Sequence, residues 1–287
     1  MKGKDDASPA SQSDRKEDMT QGSSQVRTRF EEPAPEARIG YVTIDNARKL
    51  NTLNSPLMQD LISCMRSLGS DARLRAVVLE GAGSKAFIGG ANIDELLHLD
   101  PSSARSYITL CHECCDAVRS LPVPVIARID GYTIGAGLEI AISCDLRAAS
   151  TRSIFAMPEV KLGLPSVVEA ALLPSLVGWG RAREILLLGE SFTAQDAAQW
   201  GMVERVVEAG ELEGAISGWL RSLVSADARA VRMQKRLMRA WEDLPLRGAV
   251  KTGIDCFAEA WESEIPRKAV QHFVAAERHR KAAAKAG

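Results

Sequence analysis

A chain of 287 residues, 46% hydrophobic and 25% charged, carries enough apolar side chain for a real core and suits one large domain or two small ones. Its 36 basic residues against 37 acidic ones leave a formal charge of −1, without the basic excess of a nucleic-acid binder. No stretch is apolar for long enough to span a membrane.

The first 27 residues are polar and mixed in charge and read as a disordered tail. They lack the apolar run of a secretory signal, and Asp5, Asp6, Asp14, Glu17 and Asp18 argue against an organelle transit peptide. Arg38–Asp45, RIGYVTID, reads as a strand. Ser55-Pro56 then opens a helix with an N-cap and a first-turn proline, and Leu57, Leu61, Ile62, Met65 and Leu68 form its apolar face. Ala76–Leu79 is a short buried strand closed by Gly81-Ala82-Gly83. A strand at Ala86–Ile88 runs into Gly89-Gly90-Ala91-Asn92 and a helix from about Ile93.

Further on, Cys111, Cys114 and Cys115 recur at helical spacing beside Leu110, Ala117 and Val118. They read as core thiols rather than metal ligands, because no second cluster completes a four-ligand site. The cysteine spacing shows no disulfide framework, so a reducing, cytoplasmic setting is expected. Val123–Ile129 is a strand, Gly131–Gly137 a turn, Leu138 the start of a helix, and Leu146–Ala149 a strand again. From about Ser225 the pattern is helical to the end. Strands alternating with helices indicate an α/β architecture.

Two turns stand out by their small residues: Gly89–Asn92 and Gly135–Gly137. The first lacks the Lys and Ser or Thr of a phosphate loop. The second has Ile140 where a dinucleotide fingerprint needs its third glycine. Each turn follows a strand and opens a helix, whose first N–H groups are unsatisfied donors at the positive end of its dipole. Two readings stand: the turns aim two N–H groups at one oxygen, or they permit close helix–strand packing. For proton transfer, His98, His112, His272 and His279 lie outside both turns and beside no plausible nucleophilic serine, so a Ser-His-Asp device has no support. Glu139 and Glu159 sit in mostly apolar runs, GLEIAIS and IFAMPEVKLGLP. An acid in such company either faces solvent or is buried with a raised pKa.

The stretches AFIGGANIDEL, DGYTIGAGLEIAISCDLRAAS and FAMPEVKLGLP, followed by GRAREILLLGESFTAQDAAQWGMVERVV, resemble the enoyl-CoA hydratase/isomerase family, also called the crotonase superfamily. The likeness runs from about residue 37 to 265. It implies a crotonase-like spiral of β-β-α units over residues 28–224 and a helical region over 225–287 that takes part in oligomerisation, as a homotrimer or a dimer of trimers. It implies that the Ala91 and Ala136 N–H groups bind the thioester carbonyl of an acyl-CoA substrate, with Glu139 activating water and Glu159 giving a proton to the α-carbon. Ala86, Ile88, Gly89, Gly90, Asn92, Ile93 and Gly135, with Lys49 and its neighbour Arg48, are the expected contacts for the acyl-CoA. No metal, no separate cofactor and no nucleic acid or membrane partner is implied.

The sequence departs from the common hydratase pattern. Asn92 stands where Asp is frequent and Ala136 where Gly is frequent. The glycine-rich turn after Glu159 is replaced by GLPSVVEAALLP, one residue shorter. Ser166, Val167 and Val168 are therefore expected to reshape the acyl pocket, and Glu169 is expected to be solvated or to cap a helix. The run Glu277–Lys281 reads as a solvated helix end, with a phosphate contact as its alternative. An isomerase, acyl-CoA hydrolase or lyase of the same fold is the first alternative to a hydratase. A non-catalytic RNA-binding member is the second.

Overall fold

The computed structural model describes residues 24–286. The expected tail lies outside them up to residue 23, and Gln25–Arg27, grouped with it above, already belong to strand β1 (Gln25–Ala34). β1 forms an antiparallel hairpin with β2 (Ala37–Asp45). Helix α1 (Ser55–Gly69) follows, capped by the Asn54 side chain, which accepts from Leu57 N–H. The cap thus stands one residue before the expected Ser55, and Pro56 still sits in the first turn.

A β-β-α unit then repeats. In the first, β3 (Leu74–Gly81) leads to β4 (Ala86–Ile88), the short α2 (Ile93–Leu96) and the long α3 (Pro101–Arg119). In the second, β5 (Val125–Ile129) leads to β6 (Tyr132–Ile134) and α4 (Ala136–Ser143). In the third, β7 (Leu146–Ser150) leads to β8 (Ile154–Ala156), two 3-10 turns and α5 (Leu173–Leu188). The first strand of each unit joins one sheet, in the order β1-β2-β3-β5-β7-β10, parallel from β2 onward. The second strand of each joins another, β4-β6-β8-β9, with β9 (Ser191–Thr193) closing it antiparallel. This is the expected spiral. After α6 (Ala194–Gln199) and β10 (Arg205–Val207) come four helices: α7 (Leu212–Ser225), α8 (Ala228–Asp243), α9 (Leu246–Ala260) and α10 (Ile265–Ala286). The helical run therefore begins at Leu212, one helix earlier than the pattern indicated.

Two apolar layers hold the sheets. Between them lie α1 and α3, whose Leu57, Leu61, Met65, Cys111, Cys114, Cys115 and Val118 pack with Phe87, Leu138, Ile140 and Phe155. On the outer face of the larger sheet, Leu212, Ile216 and Leu220 of α7 cover Ile39, Tyr41, Val78 and Ile126. Each fully buried aliphatic side chain contributes roughly 1.5–3 kcal/mol of transfer free energy. The three α3 cysteines are core residues, as their spacing indicated, and burial pushes the Cys111 thiol up to about 12. Lys235 of α8 is buried as well, donating to Val123 O at 2.9 Å and to Asp145 at 2.7 Å, which ties the C-terminal helices to the strands. Among the described residues no helix is long and apolar enough to cross a membrane.

Candidate active site

The loop between β2 and α1 runs alongside the first small-residue turn. Gly89 N–H donates to Leu50 O, Leu53 N–H to Gly90 O, and Asn92 N–H to Leu53 O, each at 2.8 Å. Ala91 pairs with Leu53 as a parallel bridge, and this register leaves its own N–H without a backbone acceptor among the described residues. Gly89 N–H is already engaged, so of the expected contacts it is no free donor. Ala86 and Ile88 are buried in β4 and offer only backbone, whereas Ile93 is exposed. The Asn92 side chain accepts from Asp94 N–H at 2.8 Å and caps α2. Lys49 lies on the same bracketing loop, in an exposed ion pair with Asp94 at 2.9 Å.

Asn51 holds that loop in place, and the sequence reading passed over it. It is fully buried with φ 57°, accepts from Asn46 N–H at 3.0 Å, and donates to Ala82 O at 2.9 Å and Ala86 O at 2.8 Å. The one signal available was the residue type, since Asn tolerates the left-handed region better than its neighbour Leu50.

The second turn meets the first through backbone. β6 runs parallel to β4, with Ala86 opposite Tyr132 and Ile88 opposite Thr133, so both turns leave adjacent strand ends. A Cβ on Gly137 would collide with the Ile88 carbonyl, and one on Gly90 would sit 3.2 Å from Ile134 O. Gly135 N–H donates to Ala156 O at 2.9 Å, while Gly135 O accepts from Leu138 and Glu139 N–H and starts α4. Ala136 is the first helical residue, so its N–H has no intrahelical acceptor and lies at the positive end of the helix. Close packing of the two turns is thus observed, and it is compatible with the donor reading.

Glu139 follows within the first turn of α4 and is 5% exposed. Burial pushes its carboxyl up to about 8, and the nearby Glu159 and Glu169 add to this, while Ala170 N–H pulls it back. Glu159 opens the 3-10 turn Glu159–Leu162 after β8. Its Oε2 accepts from Ser166 Oγ at 2.7 Å, and its Oε1 lies against the Gly135 backbone. The structure therefore brings Glu139, Glu159 and the Gly135–Ala136 turn together. A carboxyl raised in this way holds a proton more readily than a solvated one, which favours Glu139 as a proton carrier beside the water-activating role that the resemblance implied.

Glu169 departs from expectation too. It is neither solvated nor a cap but 3% exposed, with Oε1 at 2.8 Å from His112 Nδ1 and 3.6 Å from Arg119 Nη1, both on α3. These partners lie fifty or more residues away in the chain, beyond the reach of local pattern. Ser166, Val167 and Val168 line a cleft of about 1200 Å³ together with Ala170, Leu172 and Trp179, but Glu139, Glu159, Ala91 and Ala136 are not among its lining residues, so this cleft is not the expected acyl pocket. No group of three or more His, Cys, Asp or Glu among the described residues is placed to hold a metal. Of the run at 277–281, the side chains from His279 onward lie outside the described ones.

Comparison with known proteins agrees with this geometry. The family model described as enoyl-CoA hydratase/isomerase matches residues 34–282. A short-chain-enoyl-CoA hydratase of Clostridium acetobutylicum is 31% identical over 240 residues, covering 83% of this chain and 92% of that protein. A crotonyl-CoA hydratase of Syntrophomonas wolfei is 26% identical with the same coverage. A solved enoyl-CoA hydratase of Mycobacterium smegmatis superposes with a TM-score of 0.82 at 26% identity, over 87% of this chain and 95% of that one.

The raised Glu139 makes stability depend on pH with a definite sign. Between its unfolded value near 4.5 and its folded value of about 8, the native state holds a proton that the unfolded chain has lost. This group therefore lowers stability progressively as pH rises through that window, by up to about 5 kcal/mol above pH 8. Glu139→Gln should raise Tm relative to the parent at pH 8.5 and change it little at pH 4.5, measured by thermal unfolding. Equal Tm differences at both pH values would contradict a buried, raised carboxyl.

Proposed function

Because the chain belongs to the enoyl-CoA hydratase/isomerase family, we propose that it adds water across the 2,3 double bond of a 2-enoyl-CoA thioester, or removes it in the reverse direction. The observation that carries this reading is the pairing of a buried, proton-holding Glu139 with Glu159 beside the two turns that present Ala91 and Ala136 N–H. On this reading the two amides take the thioester oxygen, where charge develops as the enolate forms, and each such donor is typically worth about 2.7–4 kcal/mol. The α4 dipole adds to the field at Ala136.

The chemistry needs one proton on the glutamate pair, and on this reading Glu139 holds it, which its burial supports. A water between the carboxylates gives a proton to Glu159 as its oxygen bonds to the β-carbon. The α-carbon takes the proton that Glu139 held. One O–H bond and the carbon–carbon π bond break, one C–O and one C–H bond form, and the pair ends with its proton on Glu159. Ser166 Oγ, donating to Glu159, fixes the orientation of that carboxylate.

The loop carrying Arg48 and Lys49 brackets the Ala91 turn, which supports a part for these cations in meeting the phosphates of CoA. Gly90, Asn92, Ile93 and Gly135 line the approach on the same reading. A cytoplasmic location belongs to the same reading, and the six free cysteines support it.

The C-terminal helices support an oligomer. Leu246, Val250, Ile254 and Phe257 form an exposed apolar stripe along α9, and Phe273 of α10 is exposed too. A homotrimer or a dimer of trimers would bury such faces. Light scattering should give three or six times the chain mass, and a monomer's mass at micromolar concentration would contradict the assembly.

Crotonyl-CoA should lose its conjugated absorbance when the protein is added. Glu139→Gln and Glu159→Gln should each lower kcat by about 10²-fold or more. The parent's kcat/KM should fall as pH rises through about 8, as Glu139 loses its proton. Isomerisation of a 3-enoyl-CoA, hydrolysis of a saturated acyl-CoA, or salt-dependent RNA binding in place of hydration would each defeat this reading.

A further inference from the structure

Both glutamates are held from one short segment, Ser166–Ala170. Ser166 Oγ donates to Glu159 Oε2 at 2.7 Å, and Ala170 N–H, bonded to Val167 O at 3.0 Å, also faces the Glu139 carboxylate. This is the segment that replaces the family's glycine-rich turn. Its backbone is strained: Val168 has φ 41°, in a region that a β-branched residue rarely enters. Such a conformation persists only where the surroundings over-determine it.

The next residue supplies that restraint. Glu169 points away from the pocket into α3, where Oε1 meets His112 Nδ1 at 2.8 Å and approaches Arg119 Nη1 at 3.6 Å. His112 and Arg119 are seven residues apart on one helix and so share a face two turns apart. Glu169 Oε2 is buried with no hydrogen-bond partner, so the carboxylate's position is set from its Oε1 side alone. Arg119 is itself fixed by Glu242 of α8 at 2.5 Å, and Arg239 reaches the same carboxylate at 2.7 Å. A buried carboxylate held by an imidazole and a guanidinium is a poor source of stability but a strong source of geometry, because removing a partner leaves the carboxylate stranded.

We propose that Glu169, clamped by His112 and Arg119, is a positioning residue that locks the strained Ser166–Ala170 segment so that it presents Ser166 Oγ to Glu159 and Ala170 N–H to Glu139. The inference rests on the hydratase reading for its effect on turnover and on the contacts alone for the clamp. It explains why this chain can do without the flexible glycine-rich turn: the segment is held by a charge cluster behind it. It also links the C-terminal helix α8 to the reacting groups through Glu242, Arg119 and Glu169.

His112 is half-exposed, so its replacement leaves the fold standing. His112→Ala should lower kcat on crotonyl-CoA by about tenfold while KM stays within about twofold, since displaced groups slow chemistry more than binding. His112→Asn, whose amide can replace the Nδ1 contact, should restore most of the rate. Hydrogen exchange of the full chain gives a readout independent of activity. The amides of residues 166–172 should exchange at least about tenfold faster in His112→Ala and Glu169→Gln than in the parent. Unchanged exchange in both variants would overturn the clamp, and faster exchange with parental kcat would overturn the positioning role. A parent that fails to hydrate any enoyl-CoA would count against the hydratase reading, and the exchange result would still decide the clamp.

Discussion

The structure depends on the parallel register of β4 and β6, which sets two strand-to-helix turns back to back with main chain touching main chain. No side chain fits at Gly137, because the Ile88 carbonyl occupies the space where a Cβ would be. The consequence is chemical as well as steric. The ends of two strands that would ordinarily be separated by a layer of side chains are brought against each other, and a short helix starts at Ala136. The bracketing loop, pinned by the buried Asn51, engages the Gly89 and Asn92 amides and leaves that of Ala91 without a backbone acceptor among the described residues.

Around this backbone device the protein assembles carboxylates of opposite character. Glu139 is enclosed by apolar residues of α3 and α4, and burial outweighs the single amide that faces it. Glu159 opens a 3-10 turn, half-buried, with a serine hydroxyl on it. One sits where charge is costly and the other where a donor meets it, so the two carboxyls occupy unlike surroundings. Glu169 supplies a third anion whose partners lie in α3 rather than in the pocket.

Much of this was legible in the sequence. The strands and helices that alternate from Arg38 to Ala149, and the three motifs with their order and spacing, pointed to the spiral and to Ala91, Ala136, Glu139 and Glu159. What was missed has physical reasons. β1, QVRTRFEEPA, is an edge strand with a charged, almost wholly exposed surface, so it shows no apolar alternation and resembles a tail. α7 contains two glycines, which weaken its local helical signal, and it is stabilised by packing Leu212, Ile216 and Leu220 on the sheet. The raised carboxyl of Glu139 follows from how completely it is enclosed, and the burial of Glu169 follows from partners brought in by α3. Both are tertiary facts that a one-dimensional pattern does not contain.

The central claim is that Ala91 and Ala136 N–H converge on one acyl oxygen beside the glutamate pair. A crystal structure with a bound saturated acyl-CoA, which cannot be hydrated, tests this most directly. The account requires the thioester oxygen to lie about 3 Å from both nitrogens, with the α- and β-carbons facing Glu139 and Glu159. A thioester oxygen bound to neither amide, or an acyl chain lodged away from both carboxylates, would contradict it.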